Sequence, residues 1–185
     1  MKAKQLFFIA MMAICSVAMT VMTSCKDKDE PSNSALYDGD KPVAAFLQCE
    51  VNIESKTLEV FDVSFDFYDA NGQKQNEPLT GSTWKKSIQS ASLPALLGFR
   101  MNLSKKENVD LEKVGKVRVD FSYSYSTTDI DKNGKDGVYY AEKNSTNIAV
   151  KDGQLDLYLE EYAKAPFGVL FEYNANGKRT IKEWK

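Results

Sequence analysis

The stretch VRVDFSYSY, from Val117 to Tyr125, alternates apolar or aromatic residues with polar ones at every position. Successive side chains of a β-strand point to opposite faces of the sheet, so a period of two separates the residues into two faces. One face carries Val117, Val119, Phe121, Tyr123 and Tyr125, and the other carries Arg118, Asp120, Ser122 and Ser124. This pattern is typical of an antiparallel strand that lies with one face on a core and one in water.

The same alternation recurs along most of the chain after residue 42. Its apolar positions are Val43, Ala45, Leu47, Cys49, Val51 and Ile53; Phe61, Val63, Phe65 and Phe67; Leu97, Phe99, Met101 and Leu103; Leu155, Leu157 and Leu159; and Val169, Phe171 and Tyr173. Weaker patterns predict further strands at 84–90, 138–142, 147–150 and 180–184. The sequence therefore predicts eight to ten short strands.

Turn residues separate these segments. YDANGQK at 68–74 and YNANGKR at 173–179 share an Asn-Gly pair, which supports the positive φ of tight hairpins. KDG at 151–153 predicts a third hairpin turn, and NVDLEKVG at 108–115 predicts one helical turn, with no other amphipathic helix. We therefore predict an all-β fold, an antiparallel β-sandwich that is immunoglobulin-like or a related Greek key, with a closed barrel as the alternative.

The N-terminal segment 1–24, MKAKQLFFIAMMAICSVAMTVMTS, predicts a secretory signal peptide. Lys2 and Lys4 give it a basic start, and an uncharged, mostly apolar run follows, from Leu6 to Met22. A membrane-spanning helix needs about 20 apolar residues, and this run is a little shorter and has no basic flank to stop transfer.

The junction Met22-Thr23-Ser24-Cys25 resembles the lipobox of bacterial lipoproteins, and KDKDE at 26–30 resembles the export tag of surface lipoproteins of the Bacteroidota. The resemblance implies cleavage before Cys25, lipid on its sulfur and acylation of the new N-terminus, which together anchor a protein stably in a membrane. It implies an outer-membrane location facing the cell exterior. We expect residues 25–42 to be a flexible tether and residues 43–185 to be the sandwich domain, which is similar to β-sandwich lipoproteins of that bacterial group.

Composition excludes several classes of protein. The chain has a net charge of −2, which becomes −4 once Lys2 and Lys4 leave with the signal, so nucleic-acid binding is not supported. Histidine is absent, which excludes a Ser-His-Asp triad, a Cys-His pair and any zinc site that uses histidine. Cys15 leaves with the signal and Cys25 is the predicted anchor, so Cys49 has no disulfide partner within the domain and is expected to be a buried, inert thiol.

Two groups of residues are candidates for a site. DIDKNG at 129–134 fits the first half of a calcium loop, in which Asp129, Asp131 and Asn133 supply oxygen ligands, although Tyr140 stands where a bidentate acid is expected and Asp136 would have to substitute. The alternative is a polar hairpin loop.

Trp84, Tyr139 and Tyr158 are candidates for stacking on sugar rings, as are Trp184, Tyr140 and Tyr162, with core packing as the alternative.

These observations favour a non-enzymatic binding module for a protein or glycan partner, held at the membrane by lipid on Cys25. One alternative is a structural or accessory subunit of an envelope complex or surface fibre, which predicts a large apolar interface. The other is a glycan-active enzyme with two catalytic carboxylates, which predicts a cleft between two acids. The sequence predicts no cofactor other than the calcium ion considered above.

Overall fold

Nine strands and three short helices make up residues 41–184, the part of the chain that the computed structural model describes. Their order is β1 (Pro42–Ile53), α1 (Ser55–Val60), β2 (Phe61–Tyr68), β3 (Lys74–Pro78), β4 (Thr83–Gln89), β5 (Ala95–Lys105), α2 (Leu111–Val114), β6 (Arg118–Asp131), β7 (Tyr140–Ala149), α3 (Leu155–Lys164), β8 (Gly168–Tyr173) and β9 (Arg179–Lys182). The first described strand thus begins at Pro42, one residue before the predicted start of the sandwich domain.

The strands form two antiparallel sheets, which confirms the predicted all-β sandwich. The front sheet has the order β4-β1-β6-β7 and the back sheet has the order β3-β2-β5-β8-β9. In the immunoglobulin sandwich the first two strands are neighbours in one sheet. Here β1 lies between β4 and β6, and β2 belongs to the opposite sheet, so the strand order differs from the immunoglobulin order.

The core lies between the inner faces that the alternation predicts. The fully buried side chains include Leu47 and Val51 of β1, Phe65 of β2, Phe99 of β5 and Phe171 of β8. Burial of such side chains stabilises a fold by about 1.5–3 kcal/mol each. Val43, at the start of β1, is the exception, because it stands beside an irregularity in the pairing of β1 with β6 and is 45% exposed.

The two ends of the sandwich differ. Hairpin turns and the start of β1 occupy one end, where Pro42 pairs with Asp131 at the end of β6. The three helices occupy the other end, because each lies in a connection that leaves the strands there. With a rise of about 3.3 Å per residue, β1 carries the chain roughly 35 Å from the hairpin end to the helical end.

Three hairpins share one turn. In each, an Asx side chain accepts hydrogen bonds from the backbone N–H groups two and four residues later: Asp69 from Asn71 and Gln73, Asn174 from Asn176 and Lys178, and Asp131 from Asn133 and Lys135, all at 2.8–3.0 Å. The following glycines, Gly72, Gly177 and Gly134, have φ near 73–77°. The two predicted Asn-Gly hairpins are confirmed, and DKNGK is a third copy.

The segment around Leu157 is a helix, so the predicted strand there is wrong. In α3 the buried side chains are Leu155, Tyr158 and Tyr162, which follow helical spacing, whereas Leu157 is 48% exposed. Leucines at alternate positions imitate a strand, and the tyrosines at i+3 and i+7 from Leu155 carry the competing helical pattern. Consequently KDG at 151–153 leads into α3 and is not a hairpin turn.

Three smaller differences concern strands. The two weak strands predicted at 138–142 and 147–150 form the single strand β7, and β6 extends through the loop predicted after Tyr125 to Asp131. The sequence analysis missed β3, because its residues are polar and largely exposed at a sheet edge. The single helical turn predicted at 108–115 is confirmed as α2.

Candidate functional site

The outer face of the front sheet is polar because every second residue of its strands points to solvent. Cross-strand pairing aligns these residues into rows. One row is Ser87, Gln48, Ser126 and Ala141, and the next is Lys85, Glu50, Ser124 and Lys143. Within residues 41–184, Gln48, Ser87, Ser124 and Ser126 form no side-chain hydrogen bond, so their amide and hydroxyl groups are available to a ligand.

These two rows form the floor of a shallow groove of about 530 Å³, and Tyr139 stands at its β7 side. The Tyr139 side chain is 67% exposed. A flat aromatic ring beside free hydroxyl and amide groups suits a sugar, whose ring has an apolar face and whose hydroxyls need hydrogen-bond partners. The groove therefore has the chemistry of a glycan-binding surface.

Charges cross the middle of the groove. Lys85 Nζ lies 3.0 Å from Glu50 Oε2, and Asn52 Nδ2 donates to Glu50 Oε1 at 2.9 Å. The hydrogen bonds from Asn52 and Lys85, with the charges of Lys85 and Lys143, lower the pKa of the Glu50 carboxyl. Glu50 therefore stays ionised and holds Lys85 close to the sheet.

A carboxylate and three tyrosines fix β7 from beneath the groove. Glu142 faces the interior, where Oε2 accepts from Tyr125 at 2.5 Å and Tyr140 at 3.2 Å, and Oε1 accepts from Tyr123 at 2.8 Å. Burial and the Glu142 carboxylate raise the pKa of each of these hydroxyls. Because Glu142 directly precedes Lys143, this network fixes the backbone at the β7 side of the groove.

Of the three aromatic side chains predicted as ligand contacts, the structure exposes only Tyr139. Trp84 is 4% exposed and stacks on Phe65 with ring centroids 4.2 Å apart, and Tyr158 is 7% exposed on the inner face of α3. Neither ring is accessible to a sugar, so both assignments are wrong and core packing applies. Of the other aromatic candidates, Tyr162 is also buried and Trp184 stacks on Tyr68 at 5.2 Å.

The residues of the calcium hypothesis lie at the hairpin between β6 and β7. Asp131 Oδ1 caps the turn, and Asp129 Oδ1 accepts from the N–H of Val138 at 2.8 Å. Within residues 41–184 no three or more acidic, cysteine or histidine side chains are grouped to hold a metal. The side chains of Asp129 and Asp131 thus hold the backbone of this hairpin, as the hairpin alternative expects, and a calcium site at Asp129, Asp131, Asn133 and Asp136 stays a prediction.

Cys49 is buried on the inner face of β1, and burial raises the pKa of its thiol to about 12. Such a thiol is a poor nucleophile at neutral pH, in agreement with the expected inert role. The predicted lipidation site, Cys25, lies outside the described residues. Within residues 41–184, no helix has the length and apolar content that a membrane crossing needs.

A second cavity, of about 970 Å³, lies at the helical end between α2, the end of β7 and the start of α3. Its floor contains Val117, Val150 and Leu155, and lysines and acids both stand at its rim. It has no aromatic lining residue. We therefore take the groove of the front sheet as the candidate site.

No family model, curated protein or solved structure matches the chain. The case for the groove accordingly depends on its geometry and chemistry alone. The sequence analysis identified Tyr139 and the polar positions of β6, but it missed Gln48, Lys85 and Lys143 as parts of one surface. Their common signal was weak, since polar residues at alternate positions mark a solvated face whether or not it binds anything.

Proposed function

We propose that this protein is a non-enzymatic binding module of the bacterial outer membrane that holds a glycan in the groove of the front sheet. The observation that carries the proposal is the exposed Tyr139 ring beside free hydroxyl and amide groups in one concave surface. Lipid on Cys25 would hold this surface at the membrane and raise the local concentration of the bound glycan.

The distribution of exposed apolar residues favours this proposal over a structural subunit. A stable protein interface generally includes a contiguous apolar patch. The large hydrophobic residues exposed within the described range are Val43 on β1, Tyr139 in the loop before β7, Leu157 on α3 and Ile181 on β9, so each belongs to a different segment of the chain.

A glycan-binding experiment tests the function directly. The full chain, purified in mild detergent, is titrated with a panel of neutral and acidic polysaccharides. We expect binding to at least one, with Tyr139→Ala weakening it about tenfold through loss of ring stacking. Ile181→Ala removes an equally exposed side chain away from the groove and should leave affinity unchanged. Binding that is insensitive to Tyr139→Ala, or no binding to any polysaccharide, would contradict the proposal.

Anchoring is tested separately in cells. Cys25→Ala should abolish incorporation of labelled palmitate and release the protein from the membrane fraction. Protease added to intact cells should digest the anchored domain if it faces the exterior. Protection from protease would contradict the proposed surface location without contradicting the proposed lipid anchor.

A further inference from the structure

The groove has a positive charge on an acidic protein. Its outward-facing charged side chains are Lys85, Glu50 and Lys143, which together give one net positive charge, whereas the whole chain has a net charge of −2. Surfaces that oppose the net charge of their protein attract ligands of the protein's own sign. The charge of the groove therefore favours an anion.

The two lysines are not equivalent. Lys85 is paired with Glu50 at 3.0 Å, so its charge is largely neutralised. Lys143 is exposed and, within the described part of the chain, forms no ion pair or hydrogen bond. Adjacent strand backbones lie about 4.8 Å apart, and Ser124 lies between the other two residues in the row. The backbones of Lys143 and Glu50 are therefore roughly 10 Å apart. Lys143 is thus the less neutralised of the two cations, because it interacts with the Glu50 carboxylate through charge alone, whereas Lys85 forms a direct ion pair with that carboxylate.

The cation lies on β7, and the aromatic ring belongs to the residue directly before that strand. Tyr139 and Lys143 are four residues apart on the β7 side, about 13 Å along an extended chain. A glycan longer than one sugar can therefore contact both. The free hydroxyls of Ser124 and Ser126, on the neighbouring strand, lie beside this line.

Resting on the proposed function, we infer that the groove selects an acidic glycan, whose sugar carboxylates pair with Lys143 while a ring stacks on Tyr139. Lys143 acts as a specificity-determining residue. Glu50 neutralises Lys85, so that Lys85 does not compete with Lys143 for the carboxylates of the glycan. Glu50 also repels these carboxylates from the β4 side of the groove, which leaves them beside β7.

The test uses uronate polymers in matched pairs. Polygalacturonate, hyaluronan and alginate are each compared with the same polymer after reduction of its carboxyl groups to neutral alcohols. The full chain in detergent should bind at least one acid form three- to fivefold more tightly than its reduced form, the range of one exposed ion pair. The preference should vanish near 1 M salt, where screening acts within about 3 Å.

Variants identify the residue responsible. Lys143→Ala should remove the preference, so that the acid and reduced forms bind with equal affinity, and Lys143→Arg should restore the preference. Glu50→Gln should strengthen binding of the acid form. Lys116→Ala makes the same charge change outside the groove and should have no effect.

The outcomes separate this inference from the proposed function. Equal binding of acid and reduced polymers, or a preference that survives Lys143→Ala, would overturn the inference while a glycan-binding function stands. Failure to bind every polymer, in this set and in the wider panel, would remove both.

Discussion

Tyr139 and Tyr140 are consecutive residues whose rings face opposite sides of the front sheet. Tyr139 is 67% exposed at the groove. The Tyr140 ring packs on Phe171 with ring centroids 5.9 Å apart, and its hydroxyl donates a hydrogen bond to the Glu142 carboxylate. Tyr140 is the first residue of β7, and Tyr139 lies in the loop directly before it. One of two adjacent tyrosines is therefore available to a ligand, and the other belongs to the core.

The two tyrosines should respond differently to truncation. Tyr139→Ala should change the free energy of unfolding by less than about 0.5 kcal/mol, as is usual for surface substitutions. Tyr140→Ala should cost about 2 kcal/mol, below the range for a fully buried aromatic ring. Urea unfolding monitored by circular dichroism measures both. Equal losses would mean that the rings do not lie on opposite faces.

Trp84 should behave as a core residue. Its ring stacks on Phe65, and Nε1 donates to Glu77 at 3.2 Å. Trp84→Ala should therefore destabilise the fold by about 3–5 kcal/mol. Trp84→Phe, which keeps an aromatic ring, should cost clearly less. Full stability of the alanine variant would mean that Trp84 is not a core residue and could contact a ligand.

Gly98 marks a close approach between β5 and β8. A Cβ at this position would lie 2.3 Å from the carbonyl oxygen of Val169, a backbone atom that cannot move away alone. Gly98→Ala should destabilise the fold by about 1–3 kcal/mol, the usual cost of overpacking. Gly81→Ala is the matched control, because a Cβ there meets open space. The difference in thermal midpoint between the two variants measures the effect, and equal midpoints would refute the close approach.

The role of Asp131 as a turn residue predicts which substitutions it tolerates. Asn174 makes the same two hydrogen bonds in another hairpin with a neutral amide. Asp131→Asn should therefore be nearly neutral, whereas Asp131→Ala should cost about 1–2 kcal/mol through loss of two backbone acceptor contacts. Added calcium should not shift the melting temperature of the parent chain. A calcium-dependent shift that disappears in Asp131→Asn would instead support a metal site.

The buried tyrosines predict a loss of stability at alkaline pH. Burial raises the pKa of the Tyr123, Tyr125 and Tyr162 hydroxyls, so each remains protonated in the fold when it would ionise in the unfolded chain. This contribution is complete below about pH 10, the unfolded pKa, and it declines above that pH by up to about 1.4 kcal/mol per pH unit for each tyrosine.

Phenolate absorbance distinguishes the two populations of tyrosine. Titration of the native chain should show the Tyr123, Tyr125 and Tyr162 hydroxyls ionising only in a cooperative step that coincides with loss of the circular dichroism signal. A single gradual titration with the fold intact would show that the hydroxyls are not protected.

The sequence predicted the sheets well and the site poorly, for a common physical reason. Alternation in β6 identifies a strand and its two faces, because one face must be apolar to reach the core. It cannot tell whether Trp84 meets a second sheet, since that depends on long-range packing with Phe65. The strand predicted from Leu155, Leu157 and Leu159 was wrong because a period of two fits these leucines, whereas Leu155, Tyr158 and Tyr162 carry the helical repeat.

The groove could not be predicted from the sequence, because it depends on how the strands pair. Gln48, Ser126 and Lys143 come from three strands, and only the register of β1 with β6 and of β6 with β7 makes them neighbours. The sequence DKNGK at 131–135 matches the other two turns, but the overlapping DIDKNG at 129–134 also fits the first half of a calcium loop. The local hydrogen bonds of Asp131 show that it caps the turn, and the calcium titration tests the metal site.

The position of β1 also governs how the domain responds to force. A pull on Lys41 acts along the axis of β1, which is held between β4 and β6 by ladders whose hydrogen bonds run perpendicular to the strand. The pull therefore loads these bonds together, in shear, rather than opening them one after another. Since the groove lies on the same sheet, drag on the proposed glycan would pass to the proposed anchor through β1 and its neighbours without forcing the two sheets apart.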